Sequence, residues 1–504
     1  MKEMTAQMQD RQVTRRTILG CAAANILARG AAGVGAAVAC PSVVRAGGNS
    51  RFSMAGLHDQ VSQKVSKLAG SRDVTLTVLY PQGSIANVKT VGTRFEKMTG
   101  VTLRYQEAPL DDINSKILLA KLGRDSGFDV ALPATFGIPD LAQAEAIRNL
   151  DGFAEQYEPE QFQPTSLYSL GDYYKGSLYG YQTDGDAYTM FYNKDFLENP
   201  DEQKRYSDTF GRELAVPATW KELDESIGFF NRPDQGVHGG SLFRTAGYLP
   251  WEWWIRFHSK GCFPLGDSMD PQINNEAGIE ALEDLKAVSS HLDPRTRTDG
   301  LFDNWKSFSG GKSFCNIGWG GSQKYFHKPG SGVRGRLAYG PTPGGVIGGK
   351  TIQTPYFNWG WNYVVSANSK QPEIAYLFIL FACSPVISTE AVRQADGYFD
   401  PYRSEHYADA GIIETYSKEF LDTHKFSMAN AIPDLYLDGQ GEYFGTLREN
   451  IAAALTGKMS SKEALDRTAR TWRLTTFRLG KQSQLEQWTF LKSQYPMNLQ
   501  AVLK

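Results

Sequence analysis

Motifs for metal, nucleotide or nucleophile chemistry are missing from this chain of 504 residues. Its seven histidines never occur as H-x-H or H-x-x-x-H, nor beside paired cysteines, so no metal-ligand spacing is present. A G-x-S-x-G elbow and a Walker loop are also absent, and G-W-G-G at 318–321 reads as lacking the strand–helix setting of a dinucleotide loop. Cysteine is scarce. Of five, Cys21 and Cys40 lie near the start, leaving Cys262, Cys315 and Cys383. Three widely spaced cysteines exclude a disulfide framework and permit at most one bridge. Nor does one sign of charge prevail: 53 basic against 55 acidic side chains leave a net charge of −2. That balance removes the electrostatic case for nucleic acid or an anionic membrane as partner. Beyond the N-terminus no apolar run approaches the roughly 20 residues of a membrane span; I-A-Y-L-F-I-L-F-A-C at 374–383 reads as a buried helix.

What is present begins with a leader. Arg15 and Arg16 open into T-I-L-G-C-A-A-A, and small and apolar residues continue to Val44 before Arg45-Ala46. A cationic start, an apolar middle and a small-residue exit predict an export signal over 1–46, and the paired arginines point to the twin-arginine route. Arg29 leaves only 15 residues before Arg45, too short to span a bilayer. Cleavage is expected after Ala46, with lipidation at Cys40 as a lesser alternative, and the mature chain is expected in the periplasm.

The remaining 458 or so residues exceed a single core and predict two or three domains. Residues 47–72 are polar without a clear period and read as a spacer or a loosely docked helix. D-V-T-L-T-V-L-Y (73–80) alternates as a strand, and Ile85, Val88, Val91, Phe95 and Met98 recur at helical spacing up to Gly100. A second strand (101–108), a second helix (111–122) and a third strand (128–133) follow. Alternation of strand and helix predicts an α/β domain with parallel strands. Ligands of such sheets bind beyond the carboxyl ends of the strands, which here are Tyr80–Ser84, including Gln82, and Pro133–Gly137, including Thr135 and Phe136.

Aromatic content is high, 12%, with 10 Trp, 24 Tyr and 27 Phe. Five stretches join aromatics to polar residues: 181–196 with Asp184 and Asp186, 248–254 with Trp251 and Trp254, 316–323 with Trp319 and Gly320, 356–363 with Trp359 and Trp361, and 395–403 with Asp400 and Arg403. Rings that cover the C–H face of a sugar, beside groups that pair with its hydroxyls, are what a carbohydrate site needs. Helix breakers in each stretch predict loops. Three glycines around Trp319 leave its indole no near-sequence neighbour to pack on, which predicts a ring free to line a site.

D-G-D-A-Y-T-M-F-Y-N-K-D-F-L (184–197), F-E-K-M-T-G-V-T-L-R-Y-Q-E (95–107), 128–151 and A-L-T-G-K-M-S-S-K-E-A-L-D-R-T-A-R-T-W (454–472) resemble the extracellular solute-binding proteins of ABC importers, the group that includes maltose-binding protein. The resemblance covers nearly all of 73–475, departing at Gln182 and Thr189 from the small residues usual there. It implies a type II-like periplasmic binding protein fold of two α/β lobes, each a sheet flanked by helices, joined by hinge crossovers near 184–188, 358–363 and 401–425. The N-lobe would hold 73–186 with 360–402, and the C-lobe 187–359 with 403–504. By the same resemblance Asp186 hydrogen-bonds sugar hydroxyls, Trp251 and Trp254 are aromatic walls, Trp319 stacks on the ligand, and Pro133–Phe136 is a contact loop. Maltose-binding relatives carry a sugar-binding Asp where this chain has Phe136, which sets malto-oligosaccharide specificity in question. The function implied is capture of a sugar or polyol and delivery to permease subunits at the inner membrane, by a monomer without cofactor or metal. An exported glycan-active enzyme, or a receptor for a non-sugar solute such as a polyamine, are the alternatives. If the twin-arginine reading holds, replacing Arg15 and Arg16 by Lys traps the precursor in the cytoplasm; normal export of the double mutant, followed by cell fractionation, would sink it.

Overall fold

The computed structural model describes residues 51–123 and 127–504. The predicted leader, 1–46, and Cys40 lie outside the described residues. Described residues begin just ahead of the helix Leu57–Ala69, which buries Leu57, Val61 and Val65. Those three positions recur every fourth residue and form one stripe, packed on the helices Ile85–Thr99 and Pro372–Ala382. Residues 47–72 are therefore not a spacer: from Leu57 onward they carry a docked helix, because three apolar side chains suffice to commit one face.

Ten strands build the two main sheets: β1 (Thr75–Pro81), β2 (Thr102–Ala108), β3 (Val130–Ala131), β4 (Gly180–Gln182), β5 (Ala187–Asn193), β6 (His238–Ser241), β7 (Ser313–Gly318), β8 (Leu337–Pro341), β9 (Tyr356–Phe357) and β10 (Asn362–Val365). The first sheet runs β2-β1-β3-β10-β4, with β1 parallel to β2 and β3, and β10 antiparallel to both its neighbours. The second runs β8-β5-β7-β6, with β9 pairing on β5. Parallel β1 and β2 need a crossover, which is the helix Ile85–Thr99. Val88, Val91 and Phe95 give it one buried face, and Gly100 ends it at φ 77°, a left-handed conformation glycine adopts without strain. Strand β5 is buried along its whole length, which explains why apolar and aromatic residues dominate it, with Thr189 and Asn193 as its polar members.

The stretch 248–254, expected as a loop, is instead the start of the fully buried helix Leu249–His258. Pro250 reads as a breaker in sequence, yet in the first turn it lacks only an N–H that no helix bond would use. Glu252 accepts from both Arg244 (2.7 and 3.1 Å) and Arg256 (2.9 Å), and Arg256 also pairs with Asp224 at 2.7 Å. These paired charges let a W-E-W-W helix be buried all round. Trp254 is completely buried beside His258 and Phe444 and donates to the carbonyl of Pro433 at 3.4 Å. Its expected place in a binding wall is corrected: it is a core ring. The C-terminal residues 476–504 join the same core, with Trp488 and Tyr495 packed on Phe263 and Tyr495 hydrogen-bonded to His258 at 3.0 Å. Cys262, Cys315 and Cys383 are all free.

Two consequences follow for stability. Trp254→Ala removes a fully packed ring and lowers unfolding stability by about 3–5 kcal/mol in urea titration; a loss below 1 kcal/mol would place the ring outside the core. The second concerns Asp434, whose carboxyl is buried near Tyr168, Tyr356 and Tyr495 and is pushed up to about 7 chiefly by desolvation. Between pH 3.8 and about 7 the folded chain thus holds a proton that the unfolded chain has released. Stability must fall as pH rises through that window. The thermal midpoint is expected to drop from pH 5 to pH 8, and Asp434→Asn to reduce that drop; an unchanged pH profile in the variant would refute the assignment.

Candidate functional site

Strand β4 closes the edge of the first sheet at Gln182, and β5 enters the second at Ala187, so residues 183–186 pass between the sheets. Residues 358–361 pass back, from β9 to β10. A third segment, 399–403, lies along the first: Asp400 donates its N–H to Asp184 at 2.6 Å, and Gly185 donates to the carbonyl of Asp400 at 3.3 Å. At these segments lies a pocket with about 420 Å³ of space between atoms, part of it open to solvent. Gln82 and Ser84, just past the carboxyl end of β1, line one side. Asp186, Trp359 and Trp361 come from the crossings, and Trp319 and Gly321 from the turn after β7.

Of the residues expected at a site, the pocket brings together Gln82, Asp186, Trp319, Trp359 and Trp361. Phe136 and Trp251 stand directly behind the lining rings. Trp251 lies 4.9 Å from the Trp359 ring and meets Trp319 edge-on at 6.2 Å. Phe136, which follows β3, touches both Trp251 and Trp359 at 6.3 and 6.2 Å. Elements of the two sheets therefore meet through aromatic edges.

The remaining candidates hold the site without lining it. Tyr80 is buried and donates to Glu107 at 3.2 Å. Thr135, following Pro133 and Ala134, donates its hydroxyl to Asn362 at 2.6 Å and its N–H to the carbonyl of Gly360 at 3.0 Å, steadying the second crossing. Asp184 is fully buried behind Asp186. Gly320 is needed because a Cβ there would lie 2.5 Å from the Asp400 carboxylate, and that approach lets Gly321 donate to Asp400 at 3.2 Å. Arg403 is corrected. Its guanidinium is buried and donates to the carbonyls of Phe162 and Cys383 and to Thr165, at 3.0, 2.8 and 2.8 Å, all groups of the core. No part of it reaches the pocket lining.

Trp319 also differs from expectation. G-W-G-G sits between β7 and the helix Gly320–His327, a strand–helix turn after all. Its indole is buried to 4% exposure, 4.8 Å from Tyr188, and donates to Asn358 at 2.9 Å. The neighbours it lacked in sequence come from four other elements, so truncating it loses core packing as well as a pocket wall. Sequence reasoning missed Leu110, Leu301, Phe302, Trp305 and Tyr398, which also line the pocket. Trp305 sits in an ordinary amphipathic helix, Leu301–Phe308, and nothing in that pattern marks it. Tyr398 lay inside a quoted aromatic stretch and was passed over for its acidic neighbour.

Behind the pocket, one oxygen each of Asp184, Asp186 and Asp400 lies within 4.8 Å of the other two. Among the described residues these are the side chains spaced to hold a metal ion. Several of their oxygens are already engaged: Asp400 accepts from Tyr416 (2.8 Å) and Gly321, Asp186 from the N–H of Gly360 at 3.2 Å, and Asp184 Oδ1 from the N–H of Asp400. Asp184 Oδ2 has no partner among the described residues. Burial and mutual repulsion hold the Asp184 and Asp186 carboxyls well above the usual range, and burial raises Asp400 as well. Lys324 is the cation nearby. Its ammonium, brought down to about 8 by burial, is held by the carbonyls of Val392, Gln394, Gly397 and Phe399 at 2.9–3.0 Å.

Comparison with known proteins places this geometry. In structure the chain is similar to maltose-bound MalE3 of T. maritima, at 17% identity with TM-score 0.69, over 80% of this chain and 100% of that one. An Agrobacterium radiobacter ABC transporter solute-binding protein in complex with ribitol matches at 19% identity and TM-score 0.68, over 80% and 98% of the two chains. One from Agrobacterium vitis with bound D-mannitol matches at 18% and 0.66, over 81% and 99%. At such identities the likeness speaks for the fold, a two-lobe binding-protein architecture. The model of the bacterial extracellular solute-binding protein family matches residues 90–418, most of the chain, and the protein belongs to that family.

Proposed function

We propose that this chain is the periplasmic substrate-binding component of an ABC importer, exported by the twin-arginine route and acting as a monomer. It captures a sugar or polyol between its two sheets and delivers it to the membrane permease. One observation carries the reading: the pocket sits on the segments that join the sheets, and it is walled by Trp305, Trp319, Trp359 and Trp361 around Asp186. Indole faces cover the C–H face of a sugar or the carbon chain of a polyol, and a carboxyl group at the rim takes its hydroxyls. The maltose, ribitol and D-mannitol bound to proteins of the same fold agree with this chemistry.

A receptor is favoured over an enzyme by the disposition of the acids. Glycoside hydrolysis needs two carboxyl groups on either side of the scissile bond, whereas Asp186 is the one carboxylate in the pocket lining. Asp184 and Asp400 lie behind it with their oxygens turned to backbone donors and Tyr416. In this reading residues 73–186 with 360–402 form one lobe, and 187–359 with 403–504 the other, hinged at the crossings.

A thermal-shift panel of hexoses, disaccharides and linear polyols tests the proposal. One member, left chemically unchanged, is expected to stabilise the protein by about 2.7 kcal/mol at a hundredfold excess over Kd. Scattering at that ligand concentration should give a smaller radius of gyration. Turnover of the ligand, or an unchanged scattering profile at saturation, would overturn the reading of a hinged receptor.

A further inference from the structure

The pocket lining is unusual for a neutral carbohydrate in its balance of groups. Beside Asp186 it carries four indoles, Phe302 and Tyr398, with Gln82 and Ser84 as its other polar side chains. No Lys or Arg lines it. Among the described residues no ion pair reaches Asp186, whose carboxyl has a backbone N–H from Gly360 as its donor. Asp184 and Asp400 stand behind it, Asp400 shares a hydrogen bond with Asp186, and the Lys324 ammonium acts on Asp184 and Asp400. Three buried carboxyl groups therefore have one cation near them, and the deficit is met by protons that burial holds on the acids. An ammonium arriving at the Asp186 face, which opens into an aromatic cage, would displace a proton. Such a cage attracts an ammonium group through the ring quadrupoles, most strongly where water is excluded.

A second observation is independent of the acids. Among the described residues the indole N–H groups of Trp305 and Trp359 are buried without a hydrogen-bond partner, and both rings line the pocket at 2% and 4% exposure. Buried donors left unpaired are destabilising, by about 1–3 kcal/mol each, and a ligand oxygen would satisfy them. A bare polyamine offers no such oxygen, and a neutral polyol offers no charge to Asp186.

We infer that the physiological ligand is a hydroxylated amine, an aminated sugar or amino polyol, with its ammonium on Asp186 inside the indole cage and its hydroxyl oxygens on the N–H groups of Trp305 and Trp359. This rests on the receptor reading above and narrows it to a ligand class.

Matched pairs test it by calorimetry on the mature protein at pH 7.5: glucose with glucosamine and N-acetylglucosamine, and sorbitol with 1-amino-1-deoxysorbitol. The amine of at least one pair is expected to bind tenfold or more tighter than its hydroxyl partner, and N-acetylation, which removes the charge, to abolish the advantage. Asp186→Asn should erase the preference for the amine. The ligand comparison needs no variant, so a failure of Asp186→Asn to fold leaves the test intact. If neutral compounds bind and their amines bind no tighter in every pair, the inference is overturned while the sugar-receptor reading stands. Spermidine binding without any hydroxylated compound, or no binding by any of these probes, would overturn both.

Discussion

The ammonium of Lys324 is the group on which the geometry of the site depends. Four carbonyl oxygens between Val392 and Phe399 close around it, so a segment with little regular structure is drawn to a helix of the second sheet's side. That closure places Asp400, the next residue, under the N-terminus of the helix Gly320–His327, where Gly321 and Tyr416 donate to it. Asp400 in turn gives its N–H to Asp184, which fixes the first crossing. A buried lysine bound by carbonyls has its donors satisfied and its charge acts on Asp184 and Asp400, while protons held by burial on the acids supply the rest of the compensation. Remove it, and the positions of Asp184, Asp186 and Asp400 lose their common support.

Around this polar knot the aromatic residues serve two ends at once. Trp251, Trp319 and Trp359 contact one another edge-on or tilted, geometries favoured by the ring quadrupole, and Phe136 meets them from the other sheet. Trp319 and Trp359 thus hold elements of both sheets together and also wall the pocket. Binding and packing are therefore not separable at Trp319, whose indole N–H is spent on Asn358. The N–H groups of Trp305 and Trp359, by contrast, have no partner among the described residues. Backbone close to the ligand must also be thin. Gly360, at φ 69°, leaves no room for a Cβ between Phe357 and Gln182, so the second crossing can pass tightly beneath the pocket.

Much of the first sheet was legible because β1, the helix after it and β2 are local, and their periods of two and 3.6 survive in the sequence. Of the two strand ends singled out by the carboxyl-end rule, the one after β1 lines the pocket through Gln82 and Ser84, and Pro133–Gly137 does not. Pattern reading failed where burial was complete. The helix Leu249–His258 is apolar or charge-paired on every side, so it shows no amphipathic stripe, and Pro250 at its start imitates a breaker. Trp254 and Arg403 were misplaced for a shared reason. A tryptophan beside a binding wall and an arginine beside an acidic residue look the same in sequence whether they face a ligand or the core.

By itself the sequence determined the alternating strands and helices, the want of metal and nucleotide motifs, and the clustering of aromatics with Asp186 in segments that turn out to join the sheets. These are properties of neighbours along the chain, where spacing translates directly into a face or a turn. Only the tertiary structure decided which rings share a pocket. Trp305 comes from a helix, Trp319 from a strand–helix turn, and Trp359 and Trp361 from a crossing, and no local pattern relates them. It also decided the charge balance, since Lys324 reaches the acids from 76 residues before Asp400 and 140 residues after Asp184. Electrostatic compensation acts through space, and the separation of partners along the chain carries no trace of it.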